Sequence, residues 1–160
     1  HEEDLLQQGL LYVRVKPNLP ACGPLVDAMA KGGDAADAML TAIRSRIDEV
    51  QPEDVLISAE SFSVHGPQVA GPLFAALAGH QFRILVWLRR QDRYAEAVYK
   101  QTVKWNGASS NPDMVLRRIA LQLNYEQLLM KWQEVWPQAE IVPRIYDEAT
   151  PGQVPDSMKA

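Results

Sequence analysis

Cysteine is nearly missing from the 160-residue chain, which has only Cys22. One thiol can form neither an intramolecular disulfide nor a zinc site built on several cysteines. That fits a reducing compartment, and the expected location is the cytoplasm. Long apolar runs are missing too. No stretch reaches the ~18 residues of a membrane-crossing helix, and the longest, such as Ile84 to Leu88, have strand length. The opening His-Glu-Glu-Asp has neither the basic nor the apolar region of a signal peptide. It also has no initiator Met, as expected of a processed or partial product. An excess of positive charge is lacking as well. Sixteen basic residues face 20 acidic ones, a net charge of −4, so no chain-wide nucleic-acid surface is expected.

What remains is ordinary globular material. The chain is 47% hydrophobic and 22% charged, which argues against disorder and low complexity. Its length suits one compact domain, expected over residues 1–149. Residues 150–160, with Pro151, Gly152 and Pro155, read as a tail.

Periodicity divides the chain further. Residues 2–8 look helical and Leu10–Val15 reads as a strand. Residues 17–24 hold three prolines and read as loop. Asp34 looks like an N-cap, with Ala36, Met39, Leu40, Ile43, Ile47 and Val50 following at helical spacing until Pro52. Val55–Ser58 reads as a buried strand and Ser61–Pro72 as loop. Leu73–Leu77 reads as a short helix, Phe82–Leu88 as the strongest strand, and Asp92–Lys104 as a helix. Asn106–Pro112 is expected to be loop. Asn124 caps a last helix through Trp136, and Ile141–Tyr146 forms a final strand despite Pro143. Alternating strands and helices predict an α/β fold: a three-layer, mostly parallel sheet flanked by helices. Ligands in such sheets sit at the carboxyl ends of strands.

Two strand ends carry the candidate chemistry. Arg89 and Arg90 follow one strand and precede a helix, whose free N–H groups and dipole favour an anion. A guanidinium fork matches phosphate oxygens. The plainer reading pairs one arginine with Asp92 and leaves the other solvated. Glu60 ends the other strand. It could serve as a general base towards a hydroxyl or amine, or as a surface acid. Ser58, Ser61 and Ser63 beside it are orienting groups or turn formers. His65 has no metal spacing around it and reads as a loop histidine. Lys31-Gly32-Gly33 lacks the spacing of a phosphate loop and reads as a turn. Cys22 has no histidine nearby in sequence to activate it. Trp87, Trp105, Trp132 and Trp136 read mostly as packing residues.

The segment Phe82-Arg83-Ile84-Leu85-Val86-Trp87-Leu88-Arg89-Arg90-Gln91-Asp92, running on to Gln101, resembles the strand, arginine and helix of bacterial sulfotransferase-like proteins. Asp54 to Ser63, with Ser58-Ala59-Glu60, resembles the family's preceding strand. Leu123-Asn124-Tyr125 through Trp132 to Tyr146-Asp147 resembles its late helix and strand. The resemblance implies a P-loop-type fold and 3′-phosphoadenosine 5′-phosphosulfate as sulfuryl donor, without a metal. It implies that Arg89 binds the 3′-phosphate and that Glu60 is the catalytic base towards a glycan or small acceptor. A homo-oligomer is possible under this reading.

Two departures stand out. A serine that normally helps bind the 3′-phosphate is Ala97 here. The glycine-rich loop that grips the 5′-phosphosulfate is missing from residues 1–160, so little or no transferase activity is expected of them. The alternative is a non-catalytic module of the same fold that keeps an anion or partner site. A shortened chain would also lack a central strand and expose sheet edges. Acceptor contacts are expected in residues 16–33, 62–72 and 105–122, read as variable loops.

Overall fold

The computed structural model describes residues 2–15, 21–106 and 111–146. The expected tail over 150–160 lies outside them. The chain divides into two compact units, His1–His80 and Gln81–Ala160.

The first unit opens with helix α1 (Glu2–Gln7) and strand β1 (Leu10–Tyr12). Helices α2 (Gly23–Lys31) and α3 (Asp34–Val50) carry the chain to strand β2 (Asp54–Leu56). β2 lies parallel to β1, with Leu11 opposite Val55. A parallel pair needs such a crossover, because a tight turn can only reverse the chain. Helix α4 (Ser61–His65), a 3₁₀ turn (Pro67–Ala70) and helix α5 (Gly71–Ala76) complete the unit. Leu11 and Val13, Cys22, Leu25, Val26 and Met29, and the α3 stripe Ala36, Leu40, Ile43 and Ile47 are buried. The four α3 positions recur at steps of four, three and four, so they lie along one face. Gln51 closes α3 in the left-handed region (φ 49°), donating its N–H to the Ile47 carbonyl.

The second unit consists of β3 (Arg83–Arg89), α6 (Gln91–Asn106), α7 (Pro112–Leu123), α8 (Tyr125–Val135) and β4 (Glu140–Tyr146). β4 runs parallel to β3, and Arg89 stands opposite Tyr146. Val115, Ile119, Trp132 and Ala139 are its buried apolar residues among those described. As expected, Asn124 caps α8: its Oδ1 accepts the Gln127 N–H at 3.0 Å.

The expected three-layer, mostly parallel sheet is not what forms. The described residues are mostly helical, and their strands make two separate two-stranded parallel sheets. β1 and β2 are three residues each, shorter than the runs Leu10–Val15 and Val55–Ser58 suggested. Three stretches read as loop hold helices instead: α2 within 16–33, α4 with the 3₁₀ turn within 61–72, and nearly all of α7, which starts inside 105–122 and ends at Leu123. One physical reason covers most of these differences. Pro24, Pro67, Pro72 and Pro112 all lie in the first turn of a helix. There the missing N–H costs nothing and the fixed φ suits the helix. Asp34 is also displaced by one position. Gly33 occupies the N-cap without a side-chain bond, and Asp34 and Asp37 lie in the first turn, where the helix dipole favours acids.

Candidate functional site

Arg89 is the last residue of β3, directly before α6. It is half-buried, and its Nε is shielded from solvent. The guanidinium carbon lies 5.4 Å from the centroid of the Tyr146 ring. Arg89 and Tyr146 are register partners, and partners in a ladder project to the same face, so the stacking follows from strand pairing. A cation over an aromatic face at this distance is attracted by the ring quadrupole.

The backbone of Arg89 is fixed as well. The Tyr125 hydroxyl donates to its carbonyl oxygen at 2.6 Å. Tyr125 is the first residue of α8, placed there by the Asn124 cap. Burial pushes the Tyr125 phenol above its ordinary value, and the nearby Tyr94 adds to this against the opposing pull of Arg89. The start of α6 is tied to the end of α7 through Gln91 Nε2, which donates to the Leu123 carbonyl at 2.6 Å. Tyr94 on α6 reaches Gln122 Oε1 at 3.4 Å.

Arg90 takes a different path. Its Nε and Nη2 donate to the two carboxylate oxygens of Asp92 at 3.2 and 2.8 Å. The pair is well exposed, with side chains 75% and 60% accessible. Burial tends to raise the Asp92 carboxyl. The hydrogen bond and charge of Arg90, helped by Arg93, outweigh that and hold it below its ordinary value. Of the two arginines, Arg89 is therefore the one built into the unit. Ala97 lies half-buried further along α6.

In the first unit Glu60 is exposed and immediately precedes α4. Its carbonyl accepts the Ser63 N–H at 3.0 Å and the Ser63 hydroxyl at 2.7 Å. Ser63 thus acts as a turn former. The Ser58 carbonyl accepts the Cys22 N–H at 2.7 Å, which joins the end of β2 to the start of α2. His65 Nε2 lies 3.5 Å from Asp27 Oδ1. Cys22 is fully buried. Its thiol donates to the Val13 carbonyl at 3.1 Å, and burial raises its pKa despite the backbone bonds that lower it. A thiol so placed packs as a small apolar side chain. Glu60 belongs to the first unit, and Arg89 and Arg90 to the second.

No family model matches the chain. No solved structure matches it either. A protein of Archaeoglobus fulgidus, described as uncharacterized, is 37% identical over 65 residues, which are 41% of this chain and 17% of that protein. The chain thus spans a small part of the length of that relative.

Sequence reasoning singled out Arg89, Arg90 and Glu60 but not the tyrosines that hold Arg89. Asn124-Tyr125 offered a signal, since a residue directly after a cap starts its helix at a fixed place. Tyr146 offered none until strand register put it beside Arg89. Two tryptophans read as packing residues depart from that expectation: Trp87 is 40% exposed and Trp105 79%. Trp132 is buried as expected.

Proposed function

We propose that the chain is a cytoplasmic sulfotransferase-like protein whose Arg89 holds the 3′-phosphate of a 3′-phosphoadenosine nucleotide. One observation carries this reading. Arg89 ends a parallel strand, at the amino end of a 16-residue helix, with its ring partner Tyr146 and its carbonyl anchor Tyr125 in place. A guanidinium held this way approaches a phosphate already ordered, so little side-chain entropy is lost on binding. Half-burial strengthens its field relative to an arginine in bulk water. Arg90, neutralised by Asp92, contributes to the edge of the site.

In the complete reaction an acceptor oxygen or nitrogen attacks the sulfur of 3′-phosphoadenosine 5′-phosphosulfate. The bond from sulfur to the bridging phosphate oxygen breaks, and adenosine 3′,5′-bisphosphate leaves with that electron pair. The acceptor proton passes to a general base, the role that the resemblance implies for Glu60. Residues 1–160 contain no glycine-rich phosphosulfate loop, so the reading assigns them nucleotide binding with little turnover. Ala97 favours a second reading, a non-catalytic module that retains the anion site alone.

The test is a thermal-shift titration with adenosine 3′,5′-bisphosphate and, as control, adenosine 5′-monophosphate. The bisphosphate is expected to raise Tm, the monophosphate to do so much less, and Arg89→Ala to abolish the difference. Equal responses to the two nucleotides, or none at millimolar concentration, would remove Arg89 as a 3′-phosphate ligand. A radiolabel transfer assay with Glu60→Gln as control separates the enzyme from the module. Turnover that depends on Glu60 supports the first, and its absence alongside specific binding supports the second.

A further inference from the structure

Among the described residues β3 pairs with a strand on one side only, and on its other side the Arg89 carbonyl accepts the Tyr125 hydroxyl. Glu140 donates its N–H to the Phe82 carbonyl at 3.0 Å, and Arg83 stands opposite Glu140 in the parallel register. Main-chain groups alternate along such a ladder. Those of Ile84, Val86 and Leu88 therefore point to β4, and those of Leu85 and Trp87 point away from it. No described strand pairs on that outer side. On the far side of β4 the same alternation turns the nitrogen of Pro143 outward. Proline has no N–H to donate, so β4 ends the ladder. The sheet can grow only along β3.

The side chains agree with the backbone. Leu85 and Trp87 lie on one face of β3 and are 48% and 40% exposed. From Ile84 to Leu88 every residue is apolar, a pattern that suits a strand covered on both faces and paired on both edges.

We propose that the outer edge of β3 docks an extended segment of another polypeptide, apolar where it lies beside Leu85 and Trp87 and acidic at its ends. The backbone edge selects an extended peptide, because only a strand supplies the alternating donors and acceptors. The acidic ends are selected by charge. Arg83 and Arg89 bracket the edge, and Arg83 keeps a side chain 66% exposed while bridging Glu140. Arg144 on β4 is exposed beside Trp87. A second copy of β3 fits less well. Two-fold antiparallel pairing centred on Val86 sets Arg83 against Arg89 of the other copy, and like charges directly opposite repel. The backbone edge at Leu85 and Trp87 does not rest on the nucleotide reading, and only Arg89 is common to the two.

The experiment uses the 160-residue chain and an end-capped peptide, Glu-Thr-Val-Thr-Val-Thr-Glu, whose palindromic order is the same in either strand direction. The readout is hydrogen exchange at individual amides. In the peptide-free chain Leu85 and Trp87 are expected to exchange at least tenfold faster than Val86. Saturating peptide is expected to slow both at least tenfold, and a control peptide with proline at its three central positions to leave them unchanged. Leu85→Pro deletes an outward donor without touching the β4 ladder. It should remove the peptide's protection of Trp87 while Val86 stays protected. Should that variant fail to fold, Leu85→Glu keeps the amide and is expected to weaken the acidic peptide at least tenfold. Three results would overturn the proposal. Leu85 and Trp87 could be as protected as Val86 without peptide at any protein concentration, which means the chain covers its own edge. Their protection could grow with protein concentration, which means a second copy covers it. The peptide could leave both amides unprotected at millimolar concentration.

Discussion

Arg89 is held at both ends of its own residue, by Tyr125 at the carbonyl and by Tyr146 at the guanidinium. These contacts act differently and can be separated by substitution. Tyr125→Phe removes a hydrogen bond to a backbone oxygen and little else. It is expected to cost about 1 kcal/mol, measured by urea unfolding. The Tyr125 phenol lies above its ordinary value, so the neutral form is favoured in the folded chain. Its contribution is present below the unfolded phenol pKa, about 10, and is lost as pH rises through the folded value. The alkaline loss of stability should therefore be smaller in Tyr125→Phe. Cys22 offers a simpler check. A fully buried thiol with a raised pKa should resist an aromatic disulfide reagent in the native chain and react stoichiometrically in denaturant. Rapid labelling of the native protein would contradict its burial.

Helix α3 makes the strongest link between pattern and packing. Leu40 is 6% exposed and Ile47 7%, so truncating either leaves a hole that its neighbours fill only in part. Leu40→Ala is expected to cost about 2–5 kcal/mol, seen as a lower urea midpoint at unchanged slope. At the far end of the same helix, Gln51 carries a Cβ in a left-handed conformation. That geometry costs roughly 1–2 kcal/mol for a residue other than glycine. Gln51→Gly is expected to stabilise the chain by up to about 1 kcal/mol, less whatever the bond from Gln51 Nε2 to the Asp48 carbonyl contributes. The prolines mark the limit of reading elements from sequence. Pro24, Pro67, Pro72 and Pro112 look the same in a loop as in a first helical turn, and only the partners of the following residues tell the two apart.

Taken whole, the chain is two compact units, each with its own parallel pair of strands. Acid should act on the second unit through α6. Asp92 is held low by Arg90, and Glu96 first by Lys100 and then by Arg93. Groups lowered in the folded state contribute stability above the unfolded carboxylate pKa, about 4, and lose it as pH falls through their folded values. Both side chains are well exposed, so salt should blunt the effect. Thermal unfolding from pH 6 to pH 3 should show a smaller acid loss in Asp92→Asn than in the parent chain. An equal loss in both would remove Asp92 from the account.

Local order along the chain was enough to place α3, α6, the capped start of α8 and the strand that ends in Arg89. Those features depend on spacing, on a cap residue or on an apolar run, all of which are properties of neighbours in sequence. Strand length, the helices that begin with proline, and the tyrosines that grip Arg89 were decided only by folding. Each depends on a partner far along the chain: 36 residues separate Tyr125 from Arg89, and 57 separate Arg83 from its β4 partner Glu140. Pairing and burial at such separations are set by packing in three dimensions, which no local window contains.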